Sequence, residues 1–146
     1  MPYTFSVPCL FGLEGLVSRE LKKLDMDNVQ AENGRVLFDG DWLAMARANV
    51  NLRMGERVLL RLGRFAATSF EALFQGVSAL PLENFLPKTG KFPVKGHCLN
   101  SQLHSVPDCQ AIIKRPRPSV QPVHSEGDQP WDFFGRNDAK VETPVL

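Results

Sequence analysis

The sequence is short of the features that would settle a function class at once. It has three cysteines, Cys9, Cys98 and Cys109, and no two of them form a CxxC pair. An odd, scattered set excludes a disulfide scaffold and a cysteine-based zinc site, and points to inert thiols in a reducing compartment. Charge of one sign is also lacking: 17 Lys and Arg stand against 16 Asp and Glu, for a net +1. A uniformly basic nucleic-acid binder is therefore excluded, and any RNA site must be a local patch. His104 and His124 have no partner at catalytic or metal spacing. No apolar run approaches the roughly 20 residues that span a bilayer. The N-terminal MPYTFSVPCLFGLEG has no basic stretch leading into a long apolar one. The expectation is a cytoplasmic protein without membrane or metal partners.

What remains is ordinary globular composition, 43% hydrophobic and 23% charged over 146 residues, enough for one domain or two small ones. Tyr3 to Pro8 has the β-branched and aromatic content of a strand. Leu13, Leu16, Val17, Leu21 and Leu24 then fall on one side of a helix, with Arg19, Lys22 and Lys23 largely opposite. Val29 to Glu32 and Arg35 to Asp39 form two short strands around Asn33-Gly34, a pair that tolerates the positive φ of a tight hairpin. Asp41 caps a second helix from Trp42, with Leu43, Ala46 and Val50 as its apolar face. Glu56 to Phe65 is again rich in strand formers.

This order, β-α-β-β-α-β, is the ferredoxin-like arrangement, an antiparallel sheet with both helices on one face. Phe5, Val7, Val36, Phe38, Val58 and Leu60 are its expected core, packed against Leu16, Leu21 and Leu43. A second unit begins near Ala66. Thr68 or Ser69 caps a helix to about Leu80 bearing Phe70, Leu73, Phe74 and Val77. Lys91 to Cys98 reads as a strand, with Pro93 favouring an edge position. Ser105-Val106-Pro107-Asp108 opens a last helix that runs to Lys114. From Arg115 on, Pro116, Pro118, Pro122, Pro130 and Pro144 interrupt the text and neither helical nor strand period survives.

The strings GLEGLVSRELKKL, VQAENGRVLFDGD, ARANVNLRMGERVLLRLGRFAATSFEALFQGVSALP, KFPVKG and SVPDCQAIIK resemble the N-terminal region of bacterial THUMP-containing ribosomal RNA methyltransferases. The branch is the large-subunit guanine-N2 type, also labelled N6-adenine-specific methylases. The resemblance covers about residues 3 to 114. It implies an α+β chain with a ferredoxin-like lobe over 1–65 and a partial THUMP domain over 66–114; from Arg115 the text departs from the family pattern, and the tail over 115–146 is expected to be irregular, disordered or the product of a frameshift. It implies RNA binding, ribosomal RNA in particular, as the substrate-docking part of an S-adenosylmethionine-dependent enzyme. Neither the glycine-rich cofactor turn nor the Asn-Pro-Pro-Tyr type loop of such enzymes occurs here, so no catalytic or cofactor-binding residue is assigned. A separately encoded methyltransferase domain is a further expected partner; a ferredoxin-like interaction domain without an RNA role is the rival reading.

Two basic stretches are candidates for RNA contact. In the first, Arg47, Arg53, Arg57, Arg61 and Arg64 are opposed only by Glu56, and Arg57 and Arg61 share one face of a strand. They either meet phosphates or form a solvated face paired with Asp39, Asp41 or Glu56. In the second, Lys88, Lys91, Lys95 and His97 surround KFPVKGHC, where Gly90 and Gly96 let backbone amides approach a phosphate. Phe92 either stacks on an unpaired base or belongs to the core. Lys114 is the RNA candidate on the last helix. The assigned RNA-binding set is Lys91, Lys95, His97, Lys114, Arg57 and Arg61.

Overall fold

A computed structural model describes residues 2–85, 94–98, 103, 105–113, 131–136 and 138–144, with 94–98 and the last two stretches described as backbone. Its elements, in order, are β1 (Tyr3–Pro8), α1 (Glu14–Lys23), β2 (Asp27–Glu32), β3 (Arg35–Gly40), α2 (Trp42–Asn51), β4 (Leu59–Ala66), α3 (Phe70–Ser78), a 3-10 turn (Leu82–Asn84), β5 (Val94–Cys98), α4 (Val106–Ile113), β6 (Trp131–Arg136) and β7 (Asp138–Pro144). The chain divides into two compact units, built on Met1–Arg61 and on Leu62–Thr143.

The first unit is the expected ferredoxin-like lobe. Its strands are ordered β2-β3-β1-β4, and the pairings of β1 with β3, β1 with β4 and β2 with β3 are antiparallel. Strand alternation sets the two faces. Phe5 lies opposite Phe38 and Leu60, and Val7 opposite Val36; all five are buried, as is Val58. Ser6 lies opposite Leu37 and Leu59 on the other face, and these three are buried too. The Phe5 and Phe38 rings stack with centroids 5.2 Å apart, and Trp42 of α2 meets Phe5 edge-on at 6.3 Å.

Local chemistry explains the element ends. Glu32 and Arg35 pair across a two-residue turn. Of that turn, Gly34 alone takes a positive φ, 77°, so glycine is required there and Asn33 is not forced into the left-handed region. The Asp41 carboxylate accepts from the Ala44 amide at 2.8 Å, and the Ser69 hydroxyl accepts from the Ala72 amide at 3.2 Å. Both are N-caps, and Ser69, not Thr68, fills the second. α1 closes with Met26 N–H donating to the Leu21 carbonyl, 3.2 Å, around Asp25 at φ 56°. This is a Schellman stop with aspartate where glycine is usual.

Four expected inward residues of α1 and α2 need correction. Leu16 is 42% exposed, and its neighbour Val17 goes inward with Leu21. Leu43 and Val50 are 67% and 83% exposed, and Ala46 is exposed with them. The buried residue of α2 is Ala48. The reason is close approach: a Cβ on Gly40 would stand 2.5 Å from the Ala44 Cβ. Where α2 comes this near the strand, at Ala44 and Ala48, only small residues fit inward, and Leu43, Ala46 and Val50 turn outward. The strand expected from Glu56 begins at Leu59.

In the second unit Ala67, Leu73, Val77, Leu82, Leu103, Cys109 and Ile113 form one buried cluster. α3 packs on α4 and α4 on β5. A Cβ on Gly76 would run into the Phe65 ring, so α3 needs glycine there. β5 pairs in parallel with β6, and β6 antiparallel with β7. Two strands thus lie where the sequence reading leaves an irregular tail. Trp131, Phe133, Phe134 and Val141 are strand formers, and strands this close in sequence pair locally despite the prolines before them. Lys91, Pro93, Lys114 and residues 115–130 lie outside the described residues.

Candidate nucleic-acid interface

The six assigned residues fall into three groups. Arg57 and Arg61 belong to the first unit. Arg57 is exposed just before β4, and Arg61 is half-buried within it. Phe5 pairs with Leu60 and Ser6 with Leu59, so strand alternation puts Arg61 on the Ser6–Leu59 face. Two of its nitrogens, Nε and Nη2, are shut off from solvent and have no hydrogen-bond partner. The bidentate edge of this guanidinium therefore points inward. Arg57 is the more accessible cation of the two, and Arg47 and Arg53 are exposed beside it in sequence.

Lys95 and His97 belong to the second unit, on β5. They take register positions opposite Asp132 and Phe134 of β6. Lys91 and Lys114 lie outside the described residues, as do Lys88, Gly90 and Phe92. On α4 the first helical bond runs from the Cys109 amide to the Ser105 carbonyl, 3.1 Å, which puts Ser105 at the N-cap. Asp108 is exposed in the first turn, where a carboxylate suits the helix dipole and repels a phosphate.

One exposed feature escapes the sequence reading. Phe11 is 83% exposed, with Leu10 beside it, in the loop between β1 and α1. The loop is tied down by Glu14, whose carboxylate accepts from the Gly12 amide at 2.8 Å and the Gly34 amide at 3.0 Å. Hydrogen bonds from its own backbone amide and from those of Gly34 and Gly12 hold the Glu14 carboxyl below its ordinary range, against a smaller opposing effect of burial. The available signal is that Leu10-Phe11 joins neither the strand alternation before it nor the helix period after it. Burial, then the charges of Glu14 and Glu56, push the Cys9 thiol up, consistent with the inert thiol expected. Among the described residues no His, Cys, Asp and Glu cluster could hold a metal ion, and no helix is long and apolar enough to cross a membrane.

Residues 4–59 match the RlmL ferredoxin-like domain, and residues 67–119 match the THUMP domain. "Putative RNA methyltransferase YpsC" of Bacillus subtilis is 40% identical over 144 residues, 99% of this chain and 37% of that protein. "Ribosomal RNA large subunit methyltransferase K/L" of Cellvibrio japonicus is 32% identical over 94 residues, 64% of this chain and 12% of its own length. Among solved structures, a "predicted N6-adenine-specific DNA methylase" of Listeria monocytogenes superposes with TM-score 0.87 at 33% identity, covering 99% of this chain and 40% of that one. The SMU.472 protein, a "putative methyltransferase complexed with SAH", gives TM-score 0.86 at 34% identity over 99% of this chain and 41% of that one. The chain thus spans about two fifths of the solved relatives.

Proposed function

Since the chain joins an RlmL ferredoxin-like domain to a THUMP domain, and so belongs with the N-terminal regions of the THUMP-containing RNA methyltransferases, we propose that it binds ribosomal RNA and docks it for methylation. The succession of these two domains over residues 4–119 carries the reading. The relatives named as RNA methyltransferases support it.

In this reading no residue of the stretch takes part in methyl transfer itself. S-adenosylmethionine would supply the methyl group in the complete family enzyme, and the described residues offer no turn that fits it. Among the described strand-to-helix turns, the β1–α1 turn has its Gly12 amide already taken by the Glu14 carboxylate, and the space over Gly40 at the β3–α2 turn is filled by Ala44. Gly15 lies inside α1. The chain's part is to neutralise phosphates and hold the RNA in register, leaving base selection and extrusion to the catalytic part.

The contact residues are those assigned from sequence: Lys91, Lys95, His97 and Lys114, with Arg57 as the leading arginine and Arg61 offering a single accessible nitrogen. The test is a titration of a structured large-subunit rRNA fragment across a salt series. Wild type should bind with affinity that falls steeply with salt. Changing Lys91, Lys95 and Lys114 together to Ala should weaken binding and lower the log–log salt slope by roughly 0.9 for each phosphate that is no longer neutralised. An unchanged affinity and slope would remove those lysines from the interface. Salt-independent binding would remove the RNA reading.

A further inference from the structure

Beyond Trp42, which meets Tyr3 and Phe5 of the sheet, α2 carries exposed aliphatic residues along one side. Leu43, Ala46 and Val50, spaced three and four apart, make one stripe, and all three are exposed. Single exposed aliphatics are ordinary, but a continuous stripe on one helix marks a surface that another body covers. The stripe does not end at Leu43. That residue also lines a cleft of about 490 Å³ together with Asp25, Asp27, Asp39, Asp41 and Arg47.

Four aspartates against one arginine give the cleft a negative field. Asp39 is fixed by the Thr4 hydroxyl and the Asn28 amide, at 2.7 and 2.8 Å, and Asp41 by its capping bond. Among the described residues no cation lies within ion-pair distance of any of the four. Phosphate is repelled from such a site, so RNA is not its occupant. An apolar stripe running into a net acidic cleft is complementary to a protein surface in which Lys or Arg adjoins apolar side chains.

We infer that the α2 stripe and the adjoining cleft dock the catalytic part of the methyltransferase through such a basic, apolar-flanked segment. This rests on the function proposed above. More than half of each solved relative lies beyond the stretch matched here, since the chain covers 40% and 41% of them. In those proteins such a partner would be carried on the same polypeptide. A tethered partner arrives at an effective concentration on the order of millimolar, so a small patch suffices to hold it. The surface sets a protein-facing side on the ferredoxin-like lobe, with Arg47 of the basic stretch at its edge.

The experiment mixes this chain with the portion of the SMU.472 protein beyond the matched stretch, prepared as a monomer that binds SAH, and measures association by calorimetry at low and high salt. Leu43→Gln with Val50→Gln keeps the charge and tolerates an exposed helix position; it should weaken association at least about tenfold, ~1.4 kcal/mol. Asp25→Asn with Asp27→Asn should weaken it and flatten its salt dependence. Both double variants should keep wild-type affinity for the rRNA fragment. The inference is overturned by the absence of association, or by association indifferent to both variants. Self-association of the chain that the Leu43 and Val50 changes abolish also overturns it, because the occupant is then a second copy. If rRNA binding fails while docking responds to both variants as described, the RNA reading falls and this one stands.

Discussion

Phe5 sits at the centre of the first unit, and replacing it measures how much of that unit one residue holds. It is fully buried, with Phe38 and Leu60 opposite it on the neighbouring strands. Its ring stacks on Phe38 at 5.2 Å and meets Trp42 at 6.3 Å. Phe5→Ala removes the ring and leaves a cavity between two strands and a helix that already stands as close as its alanines allow. Little collapse is possible, so the cost belongs in the range of about 3–5 kcal/mol for large-to-small aromatic changes. Against the roughly 5–15 kcal/mol that stabilise a domain, this leaves the unit near its unfolding threshold. Phe5→Leu should cost less, under about 1.5 kcal/mol if the core repacks around a similar volume. The assay is urea unfolding in a Trp131→Phe background, so that fluorescence reports Trp42 alone. The midpoint should drop and the slope stay constant. Phe38→Ala should fall in the same range, and the double variant should show a coupling of about 0.5–1.5 kcal/mol beyond area burial. A Phe5→Ala loss below about 1 kcal/mol, or full additivity with Phe38→Ala, would refute the stacked-pair account of this core.

Two further predictions concern the starts of helices. Asp41→Ala and Ser69→Ala each delete an N-cap and should each cost about 1 kcal/mol; thermal melts in which Asp41→Asn recovers the loss and Asp41→Ala does not would identify capping as the cause. The Glu14 carboxyl, held below its ordinary range by backbone amides, stabilises the folded chain fully above the ordinary glutamate pKa. That contribution is lost as pH falls through the depressed folded value. Acid titration followed by circular dichroism should show this loss in wild type and a flatter acid limb in Glu14→Gln; identical acid limbs would mean the three backbone-amide bonds contribute nothing.

Local rules read the first unit well because its elements are set by neighbours in sequence. The bounds of β1, the Asp41 cap and the two-residue turn at Gly34 each depend on two to four adjacent residues. The failures are tertiary. A helical wheel gives α2 its largest apolar side at Leu43, Ala46 and Val50, yet the distance between α2 and β3 is decided by Gly40 and Ala44, and that distance selects the small side for burial. Leu16 and Val17 stand about 100° apart on α1, and periodicity alone does not choose between them. For the interface, charge counting finds the arginine stretch, but the inward-facing Nε and Nη2 of Arg61 depend on strand pairing with β1. The strand Trp131–Arg136 follows Pro130, and the strand Asp138–Pro144 ends on Pro144, so the prolines bound these strands without interrupting them.

The parallel pairing of β5 with β6 has a consequence in time. Cys98 and Trp131 are separated by the whole of α4 and its connections, so β5 leaves the ribosome well before its neighbour exists. At roughly 5–20 residues per second the delay is on the order of seconds. Through that interval the amides and carbonyls of Val94–Cys98 are an unpaired strand edge, open to any other extended chain. The first unit's antiparallel strands are all synthesised by then. The growing chain therefore passes through a stage with a finished front lobe and an adhesive edge behind it, and crowded synthesis at high expression is where mispairing should first be seen.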